Sequence, residues 1–71
     1  MLKLIREYLL RVPFTPFEVH ATNGNVFRIE HPENAAVVGS VAVIALPDGE
    51  SVTNLSALHI GRVTGLQEAE V

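Results

Sequence analysis

The chain has 71 residues with no cysteine, 48% apolar side chains and a net charge of −3. This composition is that of a small globular domain, and it excludes disulfides and thiolate metal sites. The net negative charge also disfavours nucleic acid as a partner, because nonspecific affinity for phosphates comes from clustered Lys and Arg.

Residues 2–12 predict an amphipathic helix at the N-terminus. At the helical period the apolar side chains fall on one arc and the charged ones on the other. The helix is expected to end before Pro13, whose ring cannot continue the backbone ladder. Leu10 falls among the polar residues, where it is either an isolated exposed leucine or a contact with another subunit.

The charges interspersed through this N-terminal segment, with no small-residue cleavage site after them, argue against a signal peptide. The longest apolar run, residues 35–46, is too short for a membrane span. The expected location is therefore the cytoplasm, with no membrane partner.

A hairpin is predicted next, with its turn at Thr22-Asn23-Gly24. A three-residue loop there, with the glycine in the left-handed region, sets Val19 opposite Phe27 in the core. A two-residue loop would set Val19 opposite Arg28 and mix core with charge. We therefore expect the three-residue loop, which also places Glu18 opposite Arg28 as a cross-strand charge pair on the other face.

The stretch that follows, residues 35–46, has serine as its only polar side chain. Gly39-Ser40 suits a two-residue turn that would pair two short strands, and the alternative is one bulged strand. The turn at Pro47-Asp48-Gly49 is expected to be another three-residue loop, which would set Ile44 opposite Val52.

The strand expected at residues 41–46 is apolar on both faces, whereas an antiparallel sheet commonly turns one polar face to water. The N-terminal helix can cover one face. The second face is covered either by closure of a barrel or by another copy of the chain. The candidate interface residues are Leu10, Val38, Val41 and Val43.

Polar side chains suggest no catalytic or metal site and no cofactor. The three histidines, His20, His31 and His59, have no close ligand spacing, and no nucleophile has a base placed beside it by local sequence. The least ordinary feature is a polar loop in which His31 and Glu33 flank a proline. It either binds exposed backbone at a strand end or carries chemistry.

The order of motifs resembles a family of uncharacterised small bacterial proteins with a helix, a PF-x-PF element, a glycine hairpin, an HP loop and a DG turn. The matching residues are Pro13, Phe14, Pro16, Phe17, Gly24, His31, Pro32, Asp48 and Gly49. This chain departs from the family in its Asn-Gly hairpin and in a shorter connection at Gly39-Ser40. The resemblance implies no activity. More loosely, the element order resembles Sm-like or SH3-like small barrels, which implies ring assembly and RNA binding.

These observations predict an α+β fold in a single domain, residues 1–71, with the helix packed on a bent antiparallel sheet or a small, partly closed barrel of four or five strands. The strands are expected at about residues 16–22, 25–31, 35–38, 41–46, 50–55 and 61–66.

The function expected is that of a small non-enzymatic interaction or assembly module that acts as a homo-oligomer, because one small core supplies little stability by itself. One alternative is an Sm-like RNA-binding protein with a basic rim of Lys3, Arg6, Arg11, Arg28 and Arg62. Another is a small metal- or histidine-dependent enzyme built around His31 and Glu33.

Overall fold

The computed structural model describes residues 1–66, so the last five residues of the expected domain lie outside the described part. Its order of elements is α1 (Leu2–Leu9), β1 (Phe17–Ala21), β2 (Val26–Ile29), a 3₁₀ turn (Pro32–Asn34), β3 (Ala35–Val38), β4 (Val41–Ala45), β5 (Val52–Ser56), a second 3₁₀ turn (Ala57–His59) and β6 (Ile60–Gly65). The predicted α+β class is confirmed, and strand ends differ from the expected ones by two residues at most.

The strands form two antiparallel sheets of three strands each. Sheet A has the order β2-β1-β6 and sheet B has the order β3-β4-β5. The six strand segments expected along the chain are all present, and they form two separate sheets that do not close into a barrel. The break falls at His31–Asn34, where Pro32 cannot donate a hydrogen bond to a ladder and the chain makes a 3₁₀ turn between β2 and β3.

Helix α1 is shorter than predicted: it ends at Leu9 instead of residue 12. The Leu10 N–H donates to both the Arg6 and Glu7 carbonyls, so the last turn is already tightening there. The residue before a proline avoids the helical region, and Val12 accordingly leaves the helix and is 95% exposed. Its predicted place on the buried arc was wrong.

The hairpin of β1 and β2 has the predicted register. Val19 lies opposite Phe27, the Ala21 N–H donates to the Asn25 carbonyl across the three-residue loop, and Gly24 has φ +98°. Only glycine adopts such a φ readily.

The predicted position of Glu18 opposite Arg28 is confirmed, although their side chains pair with other neighbours. Glu18 Oε1 instead contacts His20 Nε2 at 3.2 Å, and Arg28 pairs with Glu30. Exposed ion pairs contribute little free energy. The choice among several charged neighbours on one face is therefore not set by register.

Gly39-Ser40 forms the two-residue turn, so β3 and β4 are a hairpin and not one bulged strand. Val38 lies opposite Val41 across this turn. Gly39 has φ +60°, and no described residue other than glycine has a positive φ. A positive φ at the first turn residue alone is the pattern of the type II′ turn.

Between β4 and β5, the loop enclosed by Leu46 and Ser51 has four residues, 47–50, instead of the predicted three. The Leu46 N–H donates to the Ser51 carbonyl at 2.9 Å, which closes the loop one residue later than expected. Val52 consequently lies opposite Ala45, and its predicted position opposite Ile44 was wrong.

Asp48 holds this loop together. Its carboxylate accepts hydrogen bonds from the Glu50 and Ser51 backbone N–H groups, each at 2.9 Å, and from the Ser51 hydroxyl at 2.7 Å. The backbone N–H of Ser51, then that of Glu50 and the Ser51 hydroxyl, lower the pKa of Asp48 below its usual 3.8, since all three bonds favour the ionised form.

The core lies between the two sheets and α1. Its buried residues are Ile5, Phe17, Val19, Ala21, Ile29, Ala42, Ile44, Leu55 and Ile60. The Tyr8 ring stacks on Phe17 with centroids 4.9 Å apart, and a Cβ at Gly65 would lie 2.8 Å from the Tyr8 hydroxyl. Helix α1 contacts β6 of sheet A and β3 of sheet B, so it joins the two sheets.

Candidate functional site

The outer face of sheet B carries no charged side chain. Successive side chains on a strand point to opposite faces, and Ala42, Ile44 and Leu55 point into the core. The residues that alternate with these three along β4 and β5 therefore point outward, and so do the β3 residues paired with the outward residues of β4. We call these eight residues the sheet B outer face: Ala36, Val38, Val41, Val43, Ala45, Val52, Asn54 and Ser56.

Valines dominate this face and remain accessible to water. Val38 and Val52, on the two edge strands, are 64% and 59% exposed. Val41 and Val43 on the central strand are half-buried, since each lies between partners on β3 and β5. This apolar surface is exposed to water in the described structure, and its burial would be favourable.

The structure brings together three of the four predicted interface residues, namely Val38, Val41 and Val43. The fourth, Leu10, lies on a different element, just after α1, where it is 74% exposed. Sequence reasoning missed Val52, which the one-residue error in the β4–β5 loop had assigned to the core face.

The outer face of sheet A has the opposite character. By the register of its strands it consists of Glu18, His20, Val26, Arg28, Arg62 and Thr64. Glu18 and His20 contact each other at its centre, and the two arginines lie on the flanking strands. Ion pairs and hydrogen-bonding groups keep this face compatible with water.

The five basic residues proposed as a rim for RNA do not lie on one element. Arg28 and Arg62 are on β2 and β6, on the same face as Glu18, and Arg28 is already paired with Glu30. Lys3, Arg6 and Arg11 lie on α1 or just after it. The Arg11 guanidinium sits over the Tyr8 ring, 4.4 Å from its centroid.

The polar loop lies beside an open groove of about 770 Å³ between β2 and the end of β4. His31 lines this groove with Asn34, Arg28 and Leu46, whereas Glu33 does not. Sequence reasoning did not find the groove, because it is formed by the gap between the two sheets. The structure does not bring His31 and Glu33 into one site.

The remaining histidines have local partners. His20 contacts Glu18, and the Ser56 hydroxyl and His59 Nδ1 lie 3.2 Å apart at the two ends of the second 3₁₀ turn. Within residues 1–66, no three His, Cys, Asp or Glu side chains come close enough together to hold a metal ion.

No family model, curated protein or solved structure matches this chain. Among the described residues, no helix is both long and apolar enough to cross a bilayer.

Proposed function

We propose that the protein is a small, non-enzymatic assembly module that works in the cytoplasm as a homo-oligomer, with the sheet B outer face as its self-association surface. The observation that carries this proposal is the absence of charge from all eight positions of that face, in a chain whose other sheet has a charged outer face.

A second copy is the occupant that fits this face best. An uncharged face is complementary to itself, because stacking two copies brings valine against valine and opposes no like charges. Sheets commonly stack in this way, about 10 Å apart, inside sandwiches. The charged outer face of sheet A offers no such match, since stacking would bury Glu18 or Arg62 at an energetic cost.

The size of the face sets the expected strength of association. Three strands of about five residues cover on the order of 240 Å², using the usual strand spacing and rise. Stacking two copies buries that area on each of them, about 480 Å² in all, which at about 25 cal/mol per Å² contributes roughly 12 kcal/mol. This contribution lies within the ~4–15 kcal/mol cost of association. The face alone therefore supports a weak dimer that dissociates on dilution.

The test is molar mass by light scattering after size exclusion, over a roughly hundredfold concentration range. The expected result is a mass that rises from monomer to dimer or higher. Val43→Lys should weaken association at least about tenfold, since it buries a charge at the centre of the face. His20→Lys is the matched control, because His20 is also half-buried on the central strand of its sheet, and it should leave association unchanged.

A monomer at every concentration would overturn the proposal. Equal weakening by Val43→Lys and His20→Lys would overturn the assignment to sheet B.

A further inference from the structure

The free edge of β5 has unused backbone hydrogen-bonding groups. The bond from the Leu46 N–H to the Ser51 carbonyl fixes the phase of the β4–β5 ladder. In an antiparallel ladder every second residue bonds to the neighbouring strand, so Thr53 and Leu55 bond to β4. The N–H groups of Val52 and Asn54 consequently point away from β4, and β5 pairs with no other strand among residues 1–66.

The acceptors on this edge follow from the same phase. The Val52 and Asn54 carbonyls also point away from β4, beside their own N–H groups. Ser56 adds an outward N–H, while its carbonyl is at the N-cap of the second 3₁₀ turn. The edge therefore offers three donors and two acceptors, in a strand of five residues.

The other edge strands have features that oppose pairing. Along β2 the charged pair of Arg28 and Glu30 is exposed, and Pro32 follows the strand. Strands β3 and β6 both contact α1. Charges, prolines and covering elements are the usual protection of a sheet edge. Strand β5, with the sequence VTNLS, contains no charge and no proline.

We propose that β5 pairs in antiparallel fashion with β5 of a second copy, so that the two B sheets join into one continuous sheet of six strands. This inference rests on the proposed self-association and adds its geometry. Pairing about a twofold axis at Thr53 sets Val52 opposite Asn54 of the other copy, and pairing at Asn54 sets two asparagines opposite each other. Either register forms four backbone hydrogen bonds and opposes no charges.

Area supports a second copy as the occupant. Stable interfaces bury about 800 Å² on each partner, well above the roughly 240 Å² of one sheet B outer face. Joining two β5 edges places two such faces side by side and doubles the continuous uncharged surface. Two joined pairs can then stack face to face, which gives a closed assembly of four chains with both the edges and the faces used.

The test is amide hydrogen exchange by NMR, measured on the full chain at a concentration where it self-associates and at a dilution where it is monomeric. Asn54, together with Val52 or Ser56, should exchange at least about tenfold more slowly in the associated state. Thr53 and Leu55 are internal controls, because their N–H groups bond to β4 in both states.

Failure of this inference is distinguishable from failure of the proposed function. An oligomer in which Val52, Asn54 and Ser56 exchange as fast as in the monomer would overturn the edge pairing and leave face stacking intact. Slowed exchange at Val63 of β6 together with Asn54 would mean that β5 pairs head-to-tail with β6 of another copy. This result would overturn the β5–β5 pairing. A chain that never associates would overturn both proposals.

A variant pair tests the same bonds. Asn54→Pro removes an N–H that the monomer does not use, so association should weaken at least about tenfold. Asn54→Ser keeps that N–H and should associate like the unchanged protein. Equal association of the two variants would overturn the pairing, and the exchange measurement stands if the proline variant fails to fold.

Discussion

The two sheets share size and pairing but differ on the side that faces away from the core. Sheet A has Glu18 and His20 at the centre of its outer face, with an arginine on each neighbouring strand. Sheet B has Val41 and Val43 at the corresponding place. Since both sheets fold onto the same core, the demands of folding do not account for the difference. The valines of sheet B are therefore the basis of the self-association proposed above.

The largest expected effect is the difference in stability between truncating a side chain on the inner face of β4 and truncating one on its outer face. Ile44→Ala removes a fully buried side chain and should lower the free energy of unfolding by about 2–4 kcal/mol. Val43→Ala, on the outer face, should cost the dilute monomer about 1 kcal/mol or less. Urea unfolding of both variants measures this. Similar losses in the dilute monomer would mean that Val43 serves the fold, and the comparison would fail.

The dependence of association on salt should also distinguish the two outer faces, with a smaller effect. Association through the uncharged face of sheet B should change less than about twofold between roughly 0.05 and 0.5 M NaCl, because screening acts on charges. Sulfate should strengthen it. Sedimentation equilibrium across the salt series gives the constants. A steep loss of association in NaCl would point to the charged face of sheet A instead.

The smallest effect concerns Asp48, whose loop fixes the register that turns Val52 outward. The folded-state pKa of Asp48 lies below 3.8, so its contribution is complete above the unfolded pKa and is lost as pH falls through the folded-state value. Thermal unfolding should show the unchanged protein to be more stable than Asp48→Asn at neutral pH. The difference should vanish once the pH falls below the folded-state pKa of Asp48. A constant difference at both pH values would contradict the role of the charge.

Hairpin register could be predicted where a wrong choice had a high cost. In β1 and β2 a slip by one residue would set Val19 opposite Arg28, so the pattern identified the observed loop. Strand β4 is apolar on both faces, and a slip there exchanges one apolar neighbour for another. The pattern could not distinguish a three-residue from a four-residue loop, so Val52 was assigned to the wrong face of the sheet.

The site was partly predictable for the same reason. Val38, Val41 and Val43 were identified because a two-sided apolar strand needs two covers, and a small chain has one helix. The groove beside His31 depends on the distance between the sheets, which no local pattern contains. The end of α1 could not be placed from the rule for the residue before a proline, because in a helix the ring of Pro13 also clashes with the carbonyl four residues earlier, at Leu9, where the helix ends.

Helix α1 has a consequence for cooperativity. It contacts one strand of each sheet, and Tyr8 is fitted between Phe17 and Gly65 of sheet A. Three strands alone are close to the smallest sheet that persists in water, so neither sheet has much independent stability. Packing of the eight residues of α1 against both sheets thus makes the two sheets unfold as one cooperative unit. Loss of the helix by proteolysis would release both sheets together, with their apolar inner faces open to aggregation.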